Sequence, residues 1–385
     1  MTGRKRVLFV QPSLDPPGGG NGVAAWMLEA LKGRHDVTAL TWAPTDLARV
    51  DRFYGTSLND SRIGLESVSP WLRRAPDLVP LPLALLKSSV LARAARKRAA
   101  SFDVVVAANN EMDFGFPAIQ YVHYPCYQRP RPRSDLRWYH LPPALGVYYW
   151  LADHIGRFSD RGIRGNLTLA NSDWTGRKFT ARYGTATRTL YPPVVEVPEG
   201  EPWEKRIDGF LCVGRISPEK ELDRVIDIVA RLRDRFPVLS LCLVGTPGPL
   251  RYTRHIRRRI RDAGSWASLR EDLSRKDLSR LMGGYRYGLH GMSEEHFGMA
   301  PAELVAAGCI VFVPRGGGQV EIVGSDARLT FADADEAVER ISTVLANEAL
   351  QTELRASLAP RRAGFSTDHF MDEVRRIVEG FPAAG

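Results

Sequence analysis

The chain has 385 residues, of which 44% are hydrophobic and 25% charged, a composition typical of a globular protein with about two domains. No apolar run approaches the roughly 20 residues of a membrane-spanning helix, and the N-terminus lacks a signal-peptide core, so we expect a cytoplasmic protein. The net charge of +9 favours anionic partners. Nucleotide phosphates, acidic lipid surfaces and nucleic acid are all anionic partners of this kind.

The four cysteines are widely separated, and no CxxC pair occurs. This spacing supports neither a zinc site nor a redox motif. We expect buried, reduced thiols at Cys126, Cys212, Cys242 and Cys309.

The first half of the chain alternates strands with helices. An apolar run at 7–10 predicts a strand buried on both faces, and a helix is predicted at 23–31, after a glycine-rich loop at 18–22. Further strands are predicted at 37–40, 104–107, 119–122 and 167–170. This order indicates an α/β domain over residues 1–197.

Four prolines between 191 and 202 indicate a linker, after which a second α/β winding begins. Its predicted strands lie at 210–213, 239–244, 285–289 and 310–313, and its helices at 219–236, 334–346, 348–360 and 367–380. Ligands bind such sheets beyond the carboxyl ends of the strands. We therefore expect loops of both domains to face a cleft.

The first candidate site is the sequence GGGNG at 18–22. Glycines before a helix let backbone amides approach a phosphate, which makes Gly19, Gly20 and Gly22 donor-binding candidates. The match to the NAD fingerprint is rejected, because the second strand ends without the acid that binds the ribose. A plain tight turn remains the alternative.

Two cations follow the first strand of the second domain. Arg215 and Lys220 stand where charge-assisted hydrogen bonds to a diphosphate are expected. The alternative is a surface loop with solvated cations.

The most specific segment is EEHFGMAPAE at 294–303. Because a carboxylate accepts from two vicinal hydroxyls, Glu295 suits a hexose and Glu303 a ribose. The amides of Gly298 and Met299, at a predicted helix start, suit phosphate oxygens. Glu303 as a solvated helix residue is the alternative.

Three weaker signals remain. A GGxxE sequence at 317–321 repeats the glycine-loop pattern and makes Gly318 and Glu321 candidates, and His123 follows a strand, where a structural role is equally open. The DAD sequence at 333–335 resembles a metal motif, but its place at a helix start favours N-capping. No metal site is predicted.

Together these motifs, in this order, resemble the retaining GT-B glycosyltransferases of family 4 across essentially the whole chain. Within that family, YVHYP at 121–125, NSDWT at 171–175, YPP at 191–193 and EHFG at 295–298 are similar to the mannosyltransferases of lipid-linked oligosaccharide. The resemblance implies a GT-B fold of two Rossmann-like doubly wound domains. They would be an acceptor-side domain over 1–197 and a nucleotide-sugar domain over 198–365, with a helix in 366–385 returning to the first.

The resemblance also implies roles. Arg215 and Lys220 would stabilise the departing diphosphate, Glu295 would hold the hexose, and His123 would contact it near the reacting centre. Attack would retain the anomeric configuration without a covalent intermediate, a metal or any cofactor besides the GDP- or UDP-sugar co-substrate. The acceptor, a glycan, a lipid-linked sugar or a small molecule, stays open.

Residues 72–98 mix leucines with basic side chains, which suits either peripheral contact with an anionic membrane at the inner face or a core helix with a basic edge. Three other functions also stay open. They are a nucleotide-sugar epimerase of the same fold, a degenerate sugar-binding module, and a nucleotide- or nucleic-acid-binding protein. Against nucleic acid, aromatic residues do not interleave with the basic runs.

Overall fold

The computed structural model describes residues 3–78, 83–126, 144–197 and 200–382. The chain divides into two units. One comprises Met1–Pro193 with Thr367–Gly385, and the other is Val194–Ser366. Each described unit is built on a parallel sheet with helices on its faces.

The first unit carries a sheet ordered β3-β2-β1-β4-β5-β6-β7 with parallel pairing throughout. Its strands are β1 Arg6–Val10, β2 Asp36–Thr41, β3 Gly64–Ser67, β4 Val104–Ala107, β5 Ile119–Val122, β6 Leu167–Ala170 and β7 Arg188–Thr189. Its first seven helices are α1 Gly19–Leu31, α2 Leu47–Tyr54, α3 Pro70–Leu78, α4 Ala84–Arg98, α5 Ala144–Gly156, α6 Asp160–Arg164 and α7 Asp173–Tyr183.

Strand β1 shows why this sheet is covered on both faces. Val7 and Phe9 pack into one hydrophobic cluster, while Leu8 and Val10 pack into another. Successive side chains of a strand point to opposite faces, so the unbroken apolar run at 7–10 fills both layers.

The second unit has a parallel sheet ordered β10-β9-β8-β11-β12-β13. Its strands are β8 Ile207–Val213, β9 Ser240–Gly245, β10 Ala267–Glu271, β11 Tyr285–Leu289, β12 Ile310–Pro314 and β13 Thr330–Phe331. Its helices are α8 Leu222–Arg233, α9 Leu250–Ala263, α10 Arg275–Gly283, α11 Met299–Ala306, α12 Gln319–Ile322, α13 Ala334–Leu345, α14 Glu348–Leu358 and α15 Arg361–Gly364. The predicted pair of doubly wound α/β sheets is confirmed.

Two predicted helix boundaries are wrong. Helix α1 begins at Gly19 instead of residue 23, so the predicted glycine loop is the first turn of the helix. The helix predicted at 219–236 is a 3-10 turn at Pro218–Lys220 followed by α8. The left-handed backbone of Glu221 (φ 49°) separates these two segments, because a right-handed helix cannot continue through that conformation.

Four strands escaped prediction: β3, β7, β10 and β13. All four are edge strands. In β3 and β10 most side chains face solvent at least partly, and β7 and β13 have two residues each. None therefore carries the continuous apolar run that marks a central strand.

The final helix, α16 Thr367–Gly380, packs on the first unit. Its Phe370, Val374 and Val378 share a buried cluster with α1. The Lys5 ammonium donates to the carbonyl oxygens of Val378 (3.0 Å), Glu379 (2.8 Å) and Phe381 (2.6 Å). A cation at this end satisfies carbonyls without helical partners and complements the helix dipole.

The basic segment 72–98 falls on α3 and α4, and its residues 79–82, including Leu81, lie outside the described residues. In α4, Leu91, Ala92 and Ala95 are buried in the cluster under β1 and β4. The structure therefore favours the core-helix interpretation for α4, whereas Trp71 and Leu78 of α3 are exposed.

We expect Phe370→Ala to lower the free energy of unfolding by about 3–5 kcal/mol, because the ring is 1% exposed and its loss leaves a cavity beneath α16. Urea denaturation followed by fluorescence measures the change. Phe53→Ala is the matched control, since that ring is 49% exposed. Equal losses in the two variants would show that α16 contributes little to the core of the first unit.

Candidate active site

The loop after β8 fixes the first predicted cation. The Ser217 hydroxyl donates to Glu219 Oε1 (2.7 Å), and Arg215 Nη2 lies 2.7 Å from the same oxygen. Burial opposes ionisation of Glu219, but these hydrogen bonds outweigh it and hold the pKa of the carboxyl below its usual value. Arg215 is thus anchored at one side while 63% of its side chain stays exposed to an incoming anion.

Lys220 and Glu295 are 75 residues apart in the chain and form a direct ion pair. Their side chains are only 21% and 17% exposed. The Lys220 ammonium also lies 3.4 Å from Met292 Sδ. Because Lys220 ends the short 3-10 turn before α8, its side chain reaches the loop that follows β11. The structure therefore joins the GRxxxEK and E-x7-E motifs at one point.

The carboxyl of Glu295 is held in its ionised form. Burial opposes ionisation, yet the neighbouring His290 and the charge of Lys220 outweigh that effect and keep the pKa of Glu295 well below its usual range. An ionised carboxylate only accepts hydrogen bonds. Glu295 can therefore accept hydrogen bonds from hydroxyl groups, which is the role predicted for it toward a hexose.

The GGxxE motif holds the loop that carries Glu295. A Cβ on Gly317 would lie 2.4 Å from the carbonyl oxygen and 2.7 Å from the nitrogen of Glu295, so only glycine fits there. The Gly318 amide donates to Glu295 O (2.7 Å). The Gln319 amide donates to the carbonyl oxygens of Met292 and Ser293 (both 3.2 Å).

The Gly318 amide is already bonded to the protein, and its observed role is to hold the loop that carries Glu295. Donor binding by Gly318 stays a prediction. Glu321 lies on the short helix α12 and is half-buried, and its carbonyl oxygen accepts from Arg361. A donor contact by its side chain stays a prediction.

Helix α11 begins beside this loop. Gly298 precedes it with a left-handed backbone (φ 108°), and the first amides of a helix have no acceptor within it. One turn carries the chain to Glu303, which is 9% exposed and lies 2.6 Å from Arg275 Nη1. Gly298, Met299 and Glu303 thus lie along one helix start, with Glu303 paired to a cation from α10.

The first unit gathers its predicted residues around His123. The backbone amide of His123 donates to Asn110 Oδ1 (2.8 Å), and its carbonyl oxygen accepts from Asn171 Nδ2 (3.1 Å). The ring lies against α1, where a Cβ on Gly20 would be 3.2 Å from Nε2. The YVHYP and NSDWT segments therefore meet through hydrogen bonds.

The glycines of α1 allow close packing. A Cβ on Gly22 would lie 3.0 Å from the Tyr54 ring, and the Tyr54 hydroxyl donates to Gly18 O (2.9 Å). Gly19 is exposed at the first position of the helix. Close packing in the first unit thus explains why glycine occupies positions 20 and 22. Donor binding by Gly19, Gly20 and Gly22 stays a prediction.

The N-capping interpretation of Asp333 is confirmed, since its carboxylate accepts from the Glu336 amide (2.9 Å). Across the described ranges, no group of three or more His, Cys, Asp or Glu side chains is arranged to hold a metal. Within the same ranges, no helix combines the length and apolarity needed to cross a membrane.

Three site residues escaped sequence reasoning: Arg275, His290 and Gln319. Arg275 pairs with Glu303 at a separation of 28 residues, and Gln319 bonds to a loop backbone 26 and 27 residues away, so no local spacing marked these two. The segment GLHG at 288–291 carried one usable signal, a histidine directly after a strand.

We expect a double-mutant cycle of Lys220→Met and Glu295→Gln to give a coupling energy of about 1–3 kcal/mol at pH 7, because both groups are largely buried. Urea unfolding of the two single variants, the double variant and the parent measures it. The contribution of Glu295 is present above its unfolded-state pKa of about 4.3 and is lost as the pH falls toward its lower folded-state pKa.

The exposed pair Arg280–Asp277, whose side chains are 70% and 53% exposed, is the control for this cycle. Its coupling should stay below about 0.5 kcal/mol. Equal couplings for the two pairs would show that burial adds nothing to the Lys220–Glu295 contact.

Comparison with known proteins gives the site a family context. Residues 198–361 match the family described as glycosyl transferases, group 1. The human GDP-Man:Man(3)GlcNAc(2)-PP-Dol alpha-1,2-mannosyltransferase is 26% identical over 250 residues, which are 58% of this chain and 50% of that protein. The Candida glabrata enzyme of the same name is 24% identical over 53% of this chain and 44% of its own length. The chain spans about half the length of these relatives.

Solved structures resemble the whole chain. Anabaena HepE in complex with UDP-glucose has a TM-score of 0.66 and 16% identity, covering 98% of this chain and 100% of that one. WaaG, a glycosyltransferase involved in lipopolysaccharide biosynthesis, has a TM-score of 0.69 and 17% identity, with coverage of 97% and 100%. The fold predicted from the motifs is thereby confirmed. The chain has the GT-B fold, and residues 198–361, within its second unit, match the glycosyl transferases group 1 family.

Proposed function

We propose that the protein is a glycosyltransferase that moves a hexose from a GDP- or UDP-sugar to a glycan, lipid-linked or small-molecule acceptor. The observation that carries the proposal is the buried Lys220–Glu295 pair in the group 1 domain. It unites a phosphate-binding cation with a sugar-binding carboxylate. The similarity to named mannosyltransferases makes GDP-mannose one donor to test, and the UDP-glucose complex of a structural neighbour makes UDP-glucose another.

The proposed chemistry follows the charges. When the bond from the anomeric carbon to the diphosphate breaks, the sugar gains positive charge and the diphosphate negative charge. Arg215, Lys220 and the first amides of α11 oppose the negative charge without reorganising, which is the requirement of electrostatic catalysis. The proposed reaction uses these cations in place of a metal, and retention of configuration is proposed from the resemblance to family 4 alone. A contact of His123 with the transferred sugar stays part of the proposal.

Thermal unfolding against a panel of nucleotide sugars, with and without magnesium, tests donor binding. A donor at 100 times its dissociation constant should add about 2.7 kcal/mol of stability. A selective shift with one GDP- or UDP-sugar, independent of magnesium, is expected. If none of them raises the unfolding temperature, a nucleic-acid-binding function becomes the favoured alternative. Release of a free sugar product without acceptor would favour an epimerase.

In a turnover assay with the same nucleotide sugars, we expect Arg215→Ala to lower turnover about 10²- to 10³-fold, because a cation opposite the leaving diphosphate is lost. Arg280→Ala is the control, since Arg280 is also an exposed arginine beside an acid. Turnover near that of the parent protein with every donor that binds would contradict the role of Arg215.

We also propose peripheral contact with an anionic membrane, now through α3 and α5 instead of α4. Trp71 and Leu78 of α3 are 73% and 78% exposed, and Val147 and Trp150 of α5 are each 57% exposed. Apolar side chains at spacings of three and four residues form one helix face. Arg73 and Arg74 lie on α3 itself, and the other basic residues of the segment lie on α4: Lys87, Arg93, Arg96, Lys97 and Arg98.

Flotation with vesicles containing phosphatidylglycerol tests this contact. The parent protein should float with the vesicles, and Trp71→Ser combined with Trp150→Ser should remain at the bottom of the gradient, because the interfacial aromatic anchors are lost. Leu250→Ser is the control, as Leu250 is 59% exposed beside the basic helix α9 of the second unit. An unchanged distribution of the double variant would remove α3 and α5 from the contact.

A further inference from the structure

A buried histidine lies behind the candidate active site and has no role in the proposed reaction. His290 directly follows β11 and is 4% exposed. Its backbone amide donates to Phe312 O of β12 (3.0 Å), so the residue is fixed to the sheet and not to a movable loop. A polar ring at such a position requires a partner.

That partner is Glu295. His290 Nε2 lies 3.4 Å from Glu295 Oε2, and within the described parts of the chain this buried nitrogen forms no hydrogen bond of good geometry. Burial lowers the pKa of His290 and Lys220 lowers it further, while Glu295 only partly offsets them. The ring is therefore neutral near pH 7. Since Nε2 faces a carboxylate oxygen, the proton belongs on Nε2.

Both contacts to the Glu295 carboxylate fall on one oxygen. Lys220 Nζ and His290 Nε2 each approach Oε2, whereas Oε1 has no partner among the residues that the structure describes. Lys220 alone would not fix this orientation, because an ammonium on a four-carbon stem is a flexible point charge. A ring fixed to a strand end defines the direction from which Oε2 is held.

We propose that His290 is a positioning residue that turns Glu295 so that Oε1 faces the hydroxyls of the donor hexose. The inference rests on the proposed function, since it assumes that Glu295 binds the sugar. The titratable groups around the ring are Glu295, Lys220 and Glu221. His290 itself touches neither sugar nor phosphate, so its effect passes through Glu295.

The test compares His290→Gln, which keeps a donor near the position of Nε2, with His290→Phe, which keeps the ring but removes the donor. Calorimetry measures the affinities for UDP and UDP-glucose, and for GDP and GDP-mannose. We expect His290→Phe to weaken binding of the nucleotide sugar about 10-fold or more, the usual effect of removing a ligand's orienting partner. Binding of the nucleoside diphosphate alone should change less than about 2-fold, because the diphosphate lacks the hexose.

His290→Gln should recover most of the affinity lost in His290→Phe, since the side-chain amide restores an N–H donor facing Glu295 Oε2. His255→Phe is the matched control, because His255 also pairs with a carboxylate (Asp223, 2.7 Å) but lies on α9. Equal losses for diphosphate and nucleotide sugar, or no recovery in His290→Gln, would overturn the proposal. A purely structural histidine would give that pattern.

Proton–nitrogen correlation spectra of the histidine rings separate this inference from the proposed function. In its neutral form His290 should carry the proton on Nε2, because that nitrogen faces Glu295 Oε2. Glu295→Gln should change that spectrum. If no donor binds the parent protein, the proposed function fails, while the spectra still decide whether His290 holds Glu295. A proton on Nδ1 would overturn the positioning role.

Discussion

The contact between Lys220 and Glu295 is the interaction on which the candidate site depends. It ties the turn before α8 to the loop after β11, two segments that the sheet order brings side by side through the pairing of β8 with β11. Removing two charges from water is costly unless both are paired. Each charge here has the other as its partner, with Met292 Sδ 3.4 Å from Lys220 Nζ and His290 Nε2 3.4 Å from Glu295 Oε2. A buried pair of this kind is weak evidence for stability, and it fits a functional role better.

Close backbone packing makes the pair possible. Gly317 leaves room for the backbone of Glu295, and Gly318 and Gln319 bond to the same loop. The glycine motif of this unit therefore contacts the backbone of the protein, and its proposed effect on the donor passes through Glu295. In the first unit Gly20 and Gly22 similarly let α1 approach His123 and Tyr54. In both units glycine is required because neighbouring atoms occupy the space that a Cβ would need.

The distribution of exposed apolar side chains separates core helices from candidate contact surfaces. Helix α4 carries most of the basic residues, yet its leucine and alanine face lies in the core. Its neighbours α3 and α5 expose tryptophans instead. A basic amphipathic pattern describes both situations equally well, because periodicity records which residues share a face but not what covers that face.

The sequence by itself determined the two doubly wound sheets, the central strands and the order of the motifs, since long apolar runs and strand–helix alternation are local signals. It also singled out Arg215, Lys220, Glu295 and Glu303. Only the tertiary structure decided that Lys220 pairs with Glu295, that the Gly318 amide is taken by Glu295, and that His290 and Arg275 join the site. Apart from His290, which precedes Glu295 in the same loop, those contacts join residues far apart in the chain. Their partners are set by strand order and loop packing, which leave no periodic trace in the sequence.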